Sequence, residues 1–227
     1  MASINGITIK NLNNFVSSEG DICYQGNVYI ENKKVGFWSQ DDWGGSDRFD
    51  FISPFSEKLL QERVKDLNSD KEIRGIALDN KPFILHYSLE RLMYDLKNLL
   101  KEEKAFKMSI KDGYAGIMTL TDGCCSVRWN LSKELLKLSN ENIVANLSKI
   151  IEDAKIEANF REESVVVKHK VKIYRSLDDF NIGTPISLKE ISMATSIDEK
   201  MINAKTRTNT ADGNKNGRDA KSSGFEK

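Results

Sequence analysis

An apolar stripe between Ser88 and about Lys104 constrains the fold of this chain more than any other feature. Leucine and methionine recur there at the spacing of one helix face, at Leu89, Leu92, Met93, Leu96, Leu99 and Leu100. Glu90 falls in the first turn, where a negative charge is favourable for the helix dipole. We therefore expect a long amphipathic helix whose apolar face is covered by the rest of the chain.

Alternating patterns elsewhere predict the strands that cover this helix. The expected strands span residues 4–12, 22–30 and 35–40, with a polar turn at 31–34, and they form a meander. A hairpin is expected from Tyr114 to Leu120 and from Cys124 to Trp129, because Asp122-Gly123 between them tolerates the positive φ angles of a tight turn. A later strand is expected over residues 164–175.

Further helical patterns complete an α+β fold, in which an antiparallel sheet of meander and hairpins packs against several amphipathic helices. These patterns span residues 54–67 and, in two pieces, 131–158. We expect a main domain over 1–180, a small helical hairpin over 181–204 and a disordered tail over 205–227. The tail carries six Lys or Arg against three Asp or Glu and one large apolar residue, Phe225.

Charge and cysteine content narrow the classes of function. Lys+Arg and Asp+Glu both number 34, so bulk charge does not favour a general polyanion binder. No apolar run approaches the ~18 residues of a membrane span, and the sequence opens without a leader pattern, which predicts a cytoplasmic protein that does not enter a membrane. Three cysteines and two separated histidines favour neither disulfides nor zinc, and we expect no metal or cofactor.

Residues 36–51 form the most unusual stretch, because aromatic residues, carboxylates and paired glycines meet at a strand-to-loop junction. A rigid aromatic and a permissive backbone suit a binding loop. The candidate partner-binding residues are Trp38, Gln40, Asp41, Asp42, Trp43, Gly44, Gly45, Asp47 and Arg48. The alternative is structural: Phe37, Trp38, Phe49 and Phe51 plug the sheet while the aspartates cap turns. The carboxylate spacing does not match a calcium loop.

The same region also resembles a group of known proteins. The segments Cys23–Tyr29, Lys33–Gly36, Trp43–Gly45 and Phe49–Phe51 resemble uncharacterised proteins of bacteriophages and mobile elements, which have a short meander ending in an Asp-Gly-His-Gly-Gly type loop. Trp43 stands where that pattern has its histidine, so chemistry that depends on the histidine is not expected here. The resemblance covers the first ~50 residues and implies an accessory protein, for instance one that binds and blocks a host defence system.

A second candidate is the strand expected over 165–174. Its alternation places Val165, Val167, His169, Val171 and Ile173 on one face and Val166, Lys168, Lys170, Lys172 and Tyr174 on the other. The lysines and Tyr174 then form a basic stripe that suits phosphates or an acidic protein surface. An ordinary solvated sheet face is the alternative interpretation.

A third candidate resembles a helix-turn-helix. Capping boxes at Ser187 with Glu190 and at Ser196 with Glu199 predict two short helices over residues 187–204. In a DNA reader, Lys200 and Asn203 would face the major groove beside Lys205 and Arg207. Asp198 and Glu199 at the front of the second helix would repel phosphates, which makes a plain helical hairpin the alternative.

Known catalytic templates find no match in this sequence. It contains no Gly-x-Ser-x-Gly elbow, phosphate-binding loop or dinucleotide fingerprint, and nothing places a histidine beside a cysteine. The leading hypothesis is therefore a non-enzymatic interaction protein that binds a protein or a small ligand. The alternatives are a DNA-binding regulator and an enzyme that uses carboxylates of the 41–50 region.

Overall fold

A computed structural model describes residues 1–43, 45–71, 73–76, 81–121, 126–160 and 170–183. They belong to a compact unit, Met1–Pro185. The expected helical hairpin over 187–204 and the tail over 205–227 lie outside the described residues. Strands and helices within this unit confirm the α+β class.

The unit contains eleven strands, five α-helices and one short 3-10 helix within the described residues. The strands are β1 Ser3–Ile4, β2 Ile7–Val16, β3 Ile22–Ile30, β4 Lys33–Ser39, β5 Arg48–Phe51, β6 Ile73–Ile76, β7 Pro82–Leu85, β8 Gly116–Thr121, β9 Ser126–Leu131, β10 Lys170–Tyr174 and β11 Asn181–Ile182. The helices are α1 Pro54–Lys71, α2 Leu89–Lys111, α3 Lys133–Leu136, α4 Asn140–Asn146 and α5 Ser148–Glu157, and the 3-10 helix is Leu177–Phe180.

The largest sheet has the strand order β11-β1-β2-β3-β4-β5, and its central part is the expected meander. The strand expected over residues 4–12 is in fact two strands, because Asn5 and Gly6 adopt φ angles of 50° and 75° and close a tight hairpin turn. β2 then continues to Val16, with a register shift between Lys10 and Asn13. Residues 48–51, expected as part of a loop, form the edge strand β5.

Helix α2 contains the predicted apolar stripe and extends to Lys111. Ser88 caps it, since its hydroxyl accepts a hydrogen bond from the backbone N–H of Arg91 at 3.1 Å. The helix contacts β1 and β2 of the large sheet and also β8. Its buried apolar residues are Leu92, Met93, Leu96, Leu99 and Phe106, so it forms the centre of the core as expected.

A second sheet, ordered β10-β8-β9, lies between α2 and the short helices. One face meets α2 through Thr119, which donates a hydrogen bond to Glu102 at 3.5 Å. The other face packs against α4 and α5 in a cluster of Met118, Leu120, Leu131, Ile143 and Ile151. The hairpin β8–β9 confirms the prediction, although the turn and both Cys124 and Cys125 lie outside the described residues.

The helical region after β9 is divided into three helices instead of the expected two. Ser132 and Ser139 each accept a hydrogen bond from a backbone N–H three residues later, so each begins a new helix. None of the helices among the described residues has the length and apolar character needed to cross a membrane.

Candidate binding site at the Asp41 to Asp47 loop

The loop between β4 and β5, called here the Asp41–Asp47 loop, is fixed to the sheet at its first residues. The backbone N–H of Gln40 donates to the carbonyl of Tyr24 at 2.9 Å, and the backbone N–H of Tyr24 donates to Oε1 of Gln40 at 3.0 Å. The side chain of Gln40 therefore continues the β3–β4 ladder for one more position. The sequence placed Gln40 among partner-binding residues, and the structure gives it this positioning role.

Asp41 organises the backbone of the loop itself. Its Oδ2 accepts hydrogen bonds from the backbone N–H groups of Trp43 at 3.0 Å and Gly45 at 2.5 Å. A Cβ atom at position 45 would lie 2.9 Å from the same oxygen, so a larger residue there would require the Asp41 carboxylate to shift. Gly44 lies outside the described residues. The carboxylate thus holds two amides that would otherwise point into solvent.

Asp47 anchors the far end of the loop to the core and to α2. Its Oδ2 accepts a hydrogen bond from Nε1 of Trp38 at 2.7 Å, and its backbone N–H donates to Oε1 of Glu90 at 3.1 Å. Burial raises the pKa of Asp47, while the indole hydrogen bond acts in the opposite direction. The loop is consequently tied to β3, β4 and the first turn of α2.

The two tryptophans of this region have opposite environments. Trp38 is completely buried, so its side chain belongs to the core and is not available to a partner as the sequence had suggested. Trp43 is 72% exposed. The alternative interpretation, in which the aromatic residues pack against the sheet, is therefore correct for Trp38, whereas Trp43 remains a candidate contact residue. Asp42 is half-buried, and Arg48 is exposed and pairs with Asp50 at 3.1 Å.

Exposed apolar residues from the neighbouring hairpin lie at the same end of the sheet as Trp43. Val16 and Ile22 pair across β2 and β3 and are 70% and 59% exposed. Ile22 directly precedes Cys23, whose thiol lies 3.7 Å from the carbonyl oxygen of Asp41. Val16, Ile22 and Trp43 are thus three exposed apolar residues at one end of the sheet, and we call this set the Trp43 patch.

Four aspartates lie at the same end of the sheet as the Trp43 patch, one just before β3 and three between β4 and β5. Burial raises the pKa of the Cys23 thiol, and the charges of Asp21, Asp42, Asp41 and Asp47 raise it further. This end of the sheet therefore carries an exposed indole, two exposed aliphatic side chains and four carboxylates. Such a surface is complementary to an apolar partner region flanked by Lys or Arg.

A lysine and tyrosine cluster lies beside the loop, and the sequence-based candidates did not include it. Lys97 of α2 is buried, and its Nζ lies 4.2 Å from the ring centroid of Tyr94 and 5.0 Å from that of Tyr24. Lys101 lies one turn later and donates to the Tyr24 hydroxyl at 2.7 Å. Lys97 follows Met93 by four residues, so a charge on the apolar stripe was the signal in the sequence.

The basic strand is only partly as expected. Lys170 and Lys172 are exposed, but Tyr174 is buried, stacks on Phe180 at 4.3 Å and donates its hydroxyl hydrogen to Glu102. Tyr174 is thus a core residue and not a contact for phosphates, because this face of β10 packs toward α2. Nζ of Lys172 lies 3.9 Å from Glu102. Lys168 and His169 lie outside the described residues.

Other candidate sites have no described geometry. Lys200, Asn203, Lys205 and Arg207 of the helix-turn-helix hypothesis all lie outside the described residues. Within the part of the chain that the structure describes, no three His, Cys, Asp or Glu side chains are grouped to hold a metal ion.

The Trp43 patch is therefore the candidate site with the most complete geometry among the described residues. Comparisons of this chain with family models, with curated proteins and with solved structures give no match.

Proposed function

We propose that this chain is a non-enzymatic interaction protein whose Trp43 patch binds another protein. The exposure of Trp43 on a loop with a fixed backbone carries this proposal. A large flat side chain at 72% exposure leaves apolar area in water, and tryptophan contributes strongly to binding when a partner covers it.

The order of the loop supports binding through a preformed surface. Asp41, Asp47 and Gln40 hold the backbone on both sides of Trp43 before any partner arrives. A loop that is already ordered loses less conformational entropy on association, so more of the contact energy remains as affinity. These hydrogen bonds thus favour binding because they fix the position of Trp43.

The chemistry of the patch specifies the kind of partner. Trp43, Val16 and Ile22 require an apolar counterpart, and the surrounding aspartates favour Lys or Arg at its border. The same carboxylates repel phosphates, so this surface favours a protein partner over a nucleic acid.

We further propose that the partner belongs to a bacterial defence system. This step rests on the resemblance of residues 23–51 to proteins of bacteriophages and mobile elements. Expression of the chain is expected to restore plating of a phage that the defence system restricts, and Trp43→Ala is expected to abolish that effect. Equal plating with and without the chain, in every defence system tested, contradicts the proposal of a defence-system partner. It does not bear on the proposal that the Trp43 patch binds a protein, which has a separate test.

Site-directed photo-crosslinking tests the binding proposal. A photo-reactive benzoylphenylalanine is introduced at position 43 and, as a matched control, at position 156, where Ile156 is 80% exposed on α5. After irradiation in bacterial cells, a discrete protein adduct is expected from position 43 only. The same adducts from both positions, or none from position 43, would contradict the proposal.

A further inference from the structure

Lys97 of α2 is buried without a hydrogen-bond acceptor among the described residues. Lys97 is only 7% exposed, and within the described residues neither a hydrogen bond to an oxygen nor an ion pair satisfies its ammonium group. Its neighbours are the faces of the Tyr24 and Tyr94 rings. A buried charge without hydrogen-bond acceptors is costly, and native proteins compensate it with a counter-charge, an ion or water.

A second ammonium group makes the compensation harder. Lys101 lies over the same Tyr24 ring, 4.2 Å from its centroid, and one helical turn from Lys97. Asp47 is the carboxylate that acts on Lys97 from the loop, but its Oδ2 accepts the indole hydrogen of Trp38. Two positive charges therefore face one carboxylate, and the cluster has a local excess of positive charge.

The donors of the cluster are arranged about one side chain, that of Tyr24. Lys97 has ammonium hydrogens that no described oxygen accepts, and Tyr24, whose oxygen accepts from Lys101, retains its own hydroxyl hydrogen. Lys101 is exposed, and Tyr24 and Tyr94 are half-buried, so the cluster lies at the margin of the contact between helix and sheet. Lys101 is thus the most accessible member of the cluster.

We infer that Lys97 and Lys101, together with the hydroxyl of Tyr24, bind a small oxyanion, either a phosphate or a carboxylate group. An oxyanion accepts hydrogen bonds from both ammonium groups and neutralises the excess charge, which a water molecule does not. Burial and the charge of Lys101 lower the pKa of Lys97 to about 8 against the opposing effect of Asp47, a pattern typical of an amine that lacks a full counter-charge.

A titration of lysine side chains tests this site directly. Protein labelled with carbon-13 in lysine is titrated with inorganic phosphate or with acetate against chloride at constant ionic strength and pH 7, and the ε-carbon resonances are followed by NMR. We expect a saturable shift of the Lys97 resonance at pH 7 and, when the resonance is followed over a pH series, a rise of its pKa toward the ordinary value of 10.5. A response to phosphate alone indicates a tetrahedral ligand, and a response to acetate indicates that a carboxylate suffices.

Three variants keep the test independent of folding problems. Lys101→Met changes an exposed side chain and is expected to weaken anion binding at least tenfold, while Lys97→Met removes the shifted resonance. Lys104→Met, an exposed position on the same helix, serves as the control and is expected to bind like wild type. An unsaturable response of Lys97 in wild type, or equal affinities of the Lys101→Met and Lys104→Met proteins, overturns the inference.

Discussion

Nε1 of Trp38 donates a hydrogen bond to Oδ2 of Asp47 at 2.7 Å, and this contact joins the core to the candidate binding loop. Trp38 is completely buried, so its indole hydrogen depends on Asp47 for an acceptor. Because the backbone of Asp47 also donates to Glu90 of α2, one residue connects the sheet, the helix and the loop. The exposed Trp43 is presented by a loop whose end is fixed in this way.

Replacement of Asp47 tests this connection. Asp47→Ala is expected to lower the free energy of unfolding by about 1–3 kcal/mol, because it leaves a buried indole N–H without an acceptor. Asp47→Asn is expected to cost less, since the amide oxygen still accepts and burial already disfavours the charge. Urea denaturation measures both variants, with Asp42→Ala as the control. Equal stabilities for Asp47→Ala and Asp42→Ala would show that the contact contributes nothing.

Asp41 is expected to affect the order of the loop more than the stability of the fold. Asp41→Ala removes the acceptor of the Trp43 and Gly45 amides, and each lost hydrogen bond of about 1 kcal/mol corresponds to roughly fivefold faster amide exchange. Hydrogen exchange followed by NMR measures this change residue by residue. If both amides exchange at the unprotected rate in wild type, the loop is not ordered by Asp41.

Glu103 is expected to make the free energy of unfolding depend on pH in the acid range. Burial opposes its charge, but hydrogen bonds from Lys107 and from the backbone N–H of Ala2 outweigh burial and lower its pKa below 4.5. A lowered folded-state pKa adds stability above pH 4.5 that is lost as the pH falls through the folded value.

Glu103→Gln therefore is expected to be less stable than wild type at pH 7 by about 1–3 kcal/mol, with the difference shrinking below pH 4.5. Glu62→Gln, on an exposed face of α1, is the matched control, and urea denaturation over a pH series is the measurement. A difference between Glu103→Gln and wild type that stays constant from pH 7 to pH 3 rejects the assigned role.

The charge of Lys97, unlike that of Glu103, is expected to destabilise the fold, and its effect appears on the alkaline side. Its folded-state pKa of about 8 lies below the ordinary 10.5, so the unfolded chain binds more protons between these values and stability rises with pH there. The slope reaches at most ~1.4 kcal/mol per pH unit. Measurements stop near pH 10, because the raised pKa values of Tyr87 and Tyr174 act in the opposite direction above it.

The comparison of Lys97→Met with Lys104→Met isolates this effect. In chloride buffer, thermal or urea unfolding is expected to show the alkaline rise in wild type and in the Lys104→Met protein, but not in the Lys97→Met protein. A rise that persists after Lys97→Met must come from another group and would refute the assignment.

Local patterns predicted the parts of the fold that are built from neighbouring residues. The stripe of α2, the meander and the β8–β9 hairpin follow from side-chain periodicity and turn residues, which act over a few positions. The parallel pairing of Ser3 with Asn181 joins distant segments, and nothing in either short segment encodes it. The tight turn at Asn5-Gly6 was encoded, but it was overlooked within an apolar run.

The candidate site was predictable only in outline. The composition of residues 36–51 identified the loop, yet it did not separate buried Trp38 from exposed Trp43, because both are tryptophans and lie only five positions apart. Tyr174 was assigned to a solvated face because alternation does not reveal which sheet face a helix covers. Lys97 was missed since its partners, Tyr24 and Asp47, come from other elements.

The affinity of the crosslinked partner for the Trp43→Ala protein tests the central claim most directly. Isothermal titration calorimetry compares wild type, Trp43→Ala and Ile156→Ala, with circular dichroism to establish that all three are folded. We predict that Trp43→Ala weakens binding at least tenfold, about 1.4 kcal/mol or more, because the exposed indole is the anchor of the interface. Ile156→Ala is predicted to bind like wild type. A folded Trp43→Ala protein with wild-type affinity would contradict the account.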